Sequence, residues 1–159
     1  MTTTAGIGWD SHRLVAGRPL ILGGVTIAHD RGLAGHSDAD VLTHAVIDAL
    51  LGAAALGDIG QHFPDSDERY RDADSMQLLR TVVAALASEG LEVAHVDTTV
   101  VMERPKLGAQ REAIRASLAT GLAVGAGQVN VKASTGEGMG FVGREEGVAA
   151  LAVATERRR

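Results

Sequence analysis

Asp38-Ala39-Asp40-Val41-Leu42-Thr43-His44-Ala45-Val46-Ile47-Asp48-Ala49-Leu50-Leu51-Gly52-Ala53-Ala54-Ala55-Leu56 is the stretch on which the fold turns. Asp40, His44 and Asp48 recur every fourth residue and so form one polar line along a helix. Leu42, Ala45, Val46, Ala49, Leu50 and Ala53 take the far side, with Ile47 and Leu51 beside the line. A helix apolar nearly all round is a buried helix. It is expected from Asp38 to about Leu56, with Ser37 or Asp38 as its N-cap.

A buried helix needs a layer to lie on, and the flanking segments supply strands. Thr4–Asp10 reads as an opening strand, and Leu20–Ile27 as a hairpin turning at Gly23-Gly24. Val93–Met102, Gln128–Ser134 and Gly147–Thr155 are rich in β-forming residues. Residues 57–72, with Gly, Pro and many Asp, read as a loop. A second helix is expected from about Ala73 to Ser88, stopped by Gly90, and a third from Pro105-Lys106 to near Gly121. The expectation is one α+β domain over residues 1–159: a four-stranded mixed sheet plus a small hairpin, with helices packed on one face.

Composition narrows the function. The 159 residues are 45% hydrophobic and 22% charged, as in an ordinary globular domain. A net charge of -5 argues against nucleic-acid binding, which needs a basic surface, and Arg157-Arg158-Arg159 reads as a solvated tail. With no cysteine there is no disulfide and no thiolate ligand or nucleophile. The start Met1-Thr2-Thr3-Thr4 lacks the features of a signal peptide, and no apolar run nears the roughly 20 residues that span a bilayer. No membrane partner and a cytoplasmic location are expected.

Asp10 and His12 stand two apart on a strand, so both project to one side. A carboxylate oxygen and an imidazole nitrogen suit zinc or a similar divalent ion. Buried Asp40, His44 and Asp48 also need compensation, either from a metal or polar ligand or from hydrogen bonds to neighbouring helices. Taking His44 as the third ligand leaves one tetrahedral position open, the catalytic arrangement. Asp40 and Asp48 would then orient His44 or bind substrate hydroxyls. His36-Ser37, ahead of the helix, is placed for a phosphate at a helix N-terminus, or is simply a cap beside a surface His. Ala133-Ser134-Thr135-Gly136-Glu137-Gly138-Met139-Gly140-Phe141 leaves a strand and leads to another strand, so its G-x-G-x-G is not a dinucleotide fingerprint. Its hydroxyls and amides suit a phosphate, Glu137 a hard cation, and Lys106, at the start of the third helix, adds positive charge.

These motifs together resemble a known family. D-S-H at 10–12, H-S-D-A-D at 36–40, His44, L-G-A-A-A-L-G-D-I-G-Q-H-F-P-D at 51–65 and N-V-K-A-S-T-G-E-G-M-G-F-V-G-R-E-E-G at 130–147 are similar to the 2-C-methyl-D-erythritol 2,4-cyclodiphosphate synthases of the non-mevalonate isoprenoid pathway. The resemblance implies conversion of 4-diphosphocytidyl-2-C-methyl-D-erythritol 2-phosphate to the cyclic diphosphate with release of CMP. It implies a homotrimer with active sites between subunits. Asp10, His12 and His44 would hold zinc, and Glu137 magnesium or manganese on the substrate diphosphate. His36 and Thr135 would stabilise the transition state. Asp10, His12, His36, Ser37, Asp58, Ile59, Gly60, Phe63, Pro64, Asp65, Ser66 and Asp67 match the segments that contact the sugars. Met102, Glu103, Arg104, Pro105, Lys106, Leu107 and Gly108 match the cytidine and diphosphate pocket. Ala133, Ser134, Thr135, Gly136, Glu137, Phe141 and Arg144 match further contacts. Trp9, where Phe is usual, and Ser134, Gly136 and Gly138 depart from the family pattern without removing a catalytic group.

Two rival readings use the same residues. A zinc phosphohydrolase of a nucleotide-linked substrate would send metal-bound water, and not the 2-phosphate, to the phosphorus. A nucleotide-binding or scaffolding trimer would keep the fold without turnover.

Overall fold

In the computed structural model, which describes residues 2–159, β1 (Thr3–Ala16) leads through β2 (Leu20–Leu22) and β3 (Val25–Ile27) to β4 (Arg31–Leu33) and helix α1 (Val41–Ala53). The one-turn α2 (Ile59–His62) precedes α3 (Ser75–Ser88), β5 (Leu91–Val101), α4 (Arg111–Leu122) and β6 (Val129–Ser134). A last short helix, α5 (Gly140–Gly143), comes before β7 (Gly147–Arg158). The main sheet runs β4-β1-β7-β5-β6, antiparallel except for the β5–β6 pair, and β2–β3 form the expected hairpin. The sheet is therefore mixed but five-stranded, one more than expected. The added strand is Arg31–Leu33, which pairs with Leu14–Ala16 at the far end of β1. Three residues with a central glycine carry no alternation to reveal them. Among the described residues no helix is long and apolar enough to cross a membrane.

The buried helix is where the sequence placed it, slightly shorter. From Val41 to Leu51 every residue of α1 except the half-buried Asp48 is buried. The cap is neither Ser37 nor Asp38 but Asp40, whose side chain accepts the Thr43 N–H. What lets α1 approach the sheet is the even-numbered face of β1. A Cβ at Gly8 would sit 1.8 Å from the Ala45 carbonyl oxygen, and one at Gly6 would sit 2.1 Å from that of Ala49. Bare glycine is the only side chain that admits the helix backbone so closely. Asp10 and His12 continue the same face toward the helix, while Thr3, Ala5, Ile7, Trp9, Ser11 and Arg13 on the opposite face are exposed.

At the far end of the sheet, Glu156 of β7 lies between Thr4 and Val93 with no exposed surface. Neither of its carboxylate oxygens has a hydrogen-bond partner among the described residues. Burial alone pushes its pKa from 4.5 up to about 7. Below about pH 4.5 the folded and unfolded chains both hold the proton, so there is no penalty. As pH rises toward 7 the unfolded chain releases it first, and the fold loses about 3 kcal/mol by the time both are ionised. Glu156→Leu is therefore expected to raise the thermal midpoint at pH 8 by on the order of 10 °C, and by much less at pH 5. Melting curves at the two pH values check it; a gain independent of pH would place the cost elsewhere than in ionisation.

Candidate metal centre and its clefts

β1 and α1 bring three donor atoms to one point. Asp10 Oδ2 is 2.9 Å from His12 Nε2 and 3.0 Å from His44 Nδ1, and the two ring nitrogens are 3.3 Å apart. Donors around a tetrahedral ion with bonds near 2.0–2.1 Å stand roughly 3.3 Å from one another, so the spacing fits a small divalent ion without rearrangement. Each ring is held by its other nitrogen. His12 Nδ1–H donates to the Ala34 carbonyl at 2.8 Å, which turns Nε2 toward the cluster. His44 Nε2 meets Ser75 Oγ at 2.8 Å and Ser37 Oγ at 3.2 Å, which turns Nδ1 toward Asp10 and His12. Among the described residues this is the one group of three acidic or imidazole side chains so arranged.

Electrostatics keeps Asp10 in its ligating, ionised form and holds a proton on His12 that a metal must displace. Burial works against the Asp10 carboxylate, yet the hydrogen bonds and charges of His12 and His44 outweigh it and hold the group at about 2. For His12, burial opposes the charged ring, but the Asp10 hydrogen bond and charge prevail and raise it above its ordinary value. Metal binding at such a cluster releases protons and is therefore pH-dependent.

The other two members of the polar line do different work from that expected. Asp40 is fully buried and accepts from the backbone N–H groups of Gly23 at 2.9 Å and Gly24 at 2.7 Å, from Thr43 N–H and from the Thr43 hydroxyl. It ties the β2–β3 turn to the start of α1, and burial raises its pKa against those four donors. Asp48 accepts the Ile59 N–H at 3.0 Å and anchors α2. Neither orients His44. Hydrogen bonding compensates the two carboxylates, whereas the metal reading belongs to His44. At the N-terminus of α1 it is the Asp40 carboxylate that accepts the Thr43 N–H. Ser37 is buried against His44, and His36 Nε2–H donates to the Asp67 carbonyl at 2.9 Å.

The expected substrate residues fall into separate clefts. One of about 370 Å³ is lined by Asp10, His12, His36, Ser37, His44, Ile59, Gly60, Phe63, Pro64 and Asp65, together with Gly35, Tyr70 and Leu78. The last three were not foreseen; Tyr70 packs edge-on against Phe63 with centroids 5.4 Å apart, so the aromatic wall of the cleft comes from the loop itself. Asp58 instead caps α2 through the Gln61 N–H, and Asp67 caps the turn Glu68–Tyr70 and pairs with Arg69 at 2.7 Å. Ser66 does not line this cleft.

A second cleft of about 290 Å³ is lined by Met102, Pro105, Lys106, Leu107, Gly108, Ala133, Ser134 and Thr135, with Arg111 as an unforeseen second cation. Lys106 lies on the exposed turn before α4, which begins only at Arg111. Glu103 accepts the Gly136 N–H and so binds this turn to the glycine loop, while Arg104 pairs with Glu145 at 2.7 Å. Phe141 lines a small pocket with His12, and Arg144 pairs with Glu146 at 3.3 Å. Glu137 is exposed, at φ 53°, and its N–H donates to the Thr135 hydroxyl. It joins no other ligand of this chain, and the two main clefts have no lining residue in common.

Comparison with known proteins gives a consistent result. The model of the YgbB family matches residues 3–156. The 2-C-methyl-D-erythritol 2,4-cyclodiphosphate synthase of Salinibacter ruber is 61% identical over 150 residues, covering 94% of this chain and 96% of its own. Among solved structures, a bifunctional IspDF from Campylobacter jejuni aligns with a TM-score of 0.96 at 40% identity, covering 99% of this chain and 43% of that longer one. A 2C-methyl-D-erythritol-2,4-cyclodiphosphate synthase with CDP bound aligns with a TM-score of 0.87 at 38% identity, covering 94% of this chain and 97% of that one.

Proposed function

The chain belongs to the YgbB family, that of the 2-C-methyl-D-erythritol 2,4-cyclodiphosphate synthases, and we propose that its Asp10–His12–His44 cluster binds zinc and positions the reacting phosphates. The reaction converts 4-diphosphocytidyl-2-C-methyl-D-erythritol 2-phosphate to the 2,4-cyclodiphosphate and CMP. The 2-phosphate of the substrate attacks its own β-phosphorus, so no protein nucleophile is needed. The chain must instead hold the substrate folded, nucleophile against electrophile, and receive the charge that grows on the phosphoryl oxygens. The observation that carries the metal assignment is the convergence of three donor atoms within 3.3 Å. A divalent ion there supplies Lewis acidity at a phosphoryl oxygen.

The residues divide the remaining work. Ile59, Gly60, Phe63, Pro64 and Asp65 line the cleft that takes the methylerythritol part, with Tyr70 closing its wall. His36, steadied by the Asp67 carbonyl, and Thr135, whose hydroxyl braces the loop at Glu137, stabilise the transition state. Lys106 and Arg111 offer cations to the diphosphate beside the pocket for cytidine. Glu137 reaches the substrate's magnesium or manganese as a single protein ligand, as is usual where phosphates provide the other oxygens. Glu137→Gln is expected to weaken the magnesium dependence of turnover at least tenfold while zinc content stays at the wild-type level. Titration of turnover with magnesium beside metal analysis checks it, and equal loss of both metals would show that the two sites are not separate.

The active unit is a homotrimer in which one subunit's metal cleft meets a neighbour's nucleotide cleft. Two features support this: the clefts do not join within one chain, and the outer sheet face carries an exposed apolar patch. Ile7 is 69% exposed and pairs with Val153 at 44%, while Trp9 at 54% lies next to Leu151. Such a patch marks a protein interface. Phosphorus NMR of the product formed with substrate and magnesium tests the reaction, and light scattering of the same sample tests the assembly. Cyclic diphosphate plus CMP from a trimer is expected; an open diol phosphate would overturn the reaction and a monomeric mass the assembly.

A further inference from the structure

We propose that Asp38 is a positioning residue for the metal ligand His44, acting through the hydroxyl of Ser75 to hold the imidazole in the tautomer that binds metal. The proposal rests on the metal reading of the Asp10–His12–His44 cluster and adds the part that sets its third ligand.

The geometry is a short relay. Ser75 is fully buried at the first turn of α3, and its Oγ lies 2.8 Å from His44 Nε2. The same hydroxyl donates to Asp38 Oδ1, and the Ser75 N–H donates to Asp38 Oδ2 at 3.0 Å. A serine hydroxyl has one proton, and an ionised carboxylate only accepts. With that proton committed to Asp38, the Ser75 oxygen faces His44 with a lone pair. With a metal on Nδ1, His44 Nε2 carries the ring proton and donates it to that lone pair; in the metal-free protein Nδ1 faces the Asp10 carboxylate at 3.0 Å. Ser37 Oγ, 3.2 Å from Nε2, serves as a weaker second acceptor. Were Asp38 to stop accepting, the Ser75 hydroxyl would be free to turn and donate to Nε2. The ring proton would then move to Nδ1, where it would point at the metal position.

Asp38 is itself fixed from two sides. Its N–H donates to the Ala73 carbonyl at 3.0 Å, and its Oδ1 accepts the Asp40 N–H at 3.1 Å. The relay thus joins the start of α1 to the start of α3 across the loop that walls the cleft.

Asp38→Asn and Ser75→Ala test it by two readouts. Zinc affinity, by competition with a chromophoric chelator, is expected to fall roughly 10- to 100-fold in both variants, the range for groups that orient a metal-bound histidine. Nitrogen-15 NMR of His44 in the zinc-saturated protein is expected to show a hydrogen-bonded Nε2–H in the wild type and a weakening of that hydrogen bond in the variants. Asp48→Asn, on the same helix but in contact with Ile59 and not with His44, should keep wild-type zinc affinity. Wild-type zinc affinity with an unchanged Nε2–H signal in Ser75→Ala would overturn the proposal, and that variant decides alone if Asp38→Asn fails to fold. Absence of zinc binding by the wild type would instead overturn the metal reading, and the proposal with it.

Discussion

His44→Ala is expected to bring bound zinc close to zero and to lower turnover by about a thousandfold or more, in a protein that still folds. The cluster has three donors, and removing one leaves Asp10 and His12, both on β1, with nothing facing them from α1. A Lewis acid on a phosphoryl oxygen contributes several kcal/mol to the transition state, and each ~1.4 kcal/mol is a factor of ten. The fold should tolerate the change, because alanine is the best helix former and α1 keeps its buried leucines, Ile47 and both contacts at Gly6 and Gly8. Ser37 and Ser75 lose an imidazole partner, but Ser75 still donates to Asp38. Metal analysis, phosphorus NMR turnover and a melting curve together check the prediction. Wild-type turnover in a variant shown to be metal-free would sink the assignment of the cluster to catalysis.

How far the sequence foretold this site depends on the range of each interaction. Period two places Asp10 and His12 on one face, and the apolar surround of His44 buries it, so the three residues that converge were legible from local pattern. The same pattern grouped Asp40 and Asp48 with His44, and there it misled. A line of polar residues says that each needs a partner but not which one, and the partners of Asp40 include the N–H groups of Gly23 and Gly24, seventeen and sixteen residues away. Ser75 and Asp38, joined across thirty-seven residues, had no local signal at all. The strand Arg31–Leu33 was invisible because a three-residue edge borrows its order from β1. Glu137 and Thr135 were recognised by resemblance, and their distance from the metal cleft within one chain was not readable from spacing.

Gly8→Ala is expected to destabilise the chain by about 3 kcal/mol or more, and to remove metal binding as a consequence of that strain. The new methyl would lie 1.8 Å from the Ala45 carbonyl oxygen, 2.8 Å from its carbon and 2.9 Å from Ala49 N, all of them backbone atoms. No rotamer change relieves such an overlap, so α1 must lift from β1 or the strand must bend. Either movement falls between the two elements that make the metal centre, since Ala45 follows His44 directly and Gly8 lies two residues before Asp10 on the same strand face. A lift of even 1 Å would spread donor atoms now within 3.3 Å of one another beyond the spacing a tetrahedral ion accepts. The decisive comparison is with Gly17→Ala, where nothing lies within 4 Å of the added methyl but φ is +82°. That variant should lose only about 1 kcal/mol, from backbone strain, and keep its zinc. Urea unfolding with zinc titration measures both. A Gly8→Ala protein with wild-type stability and affinity would mean that α1 does not sit against β1 as closely as described.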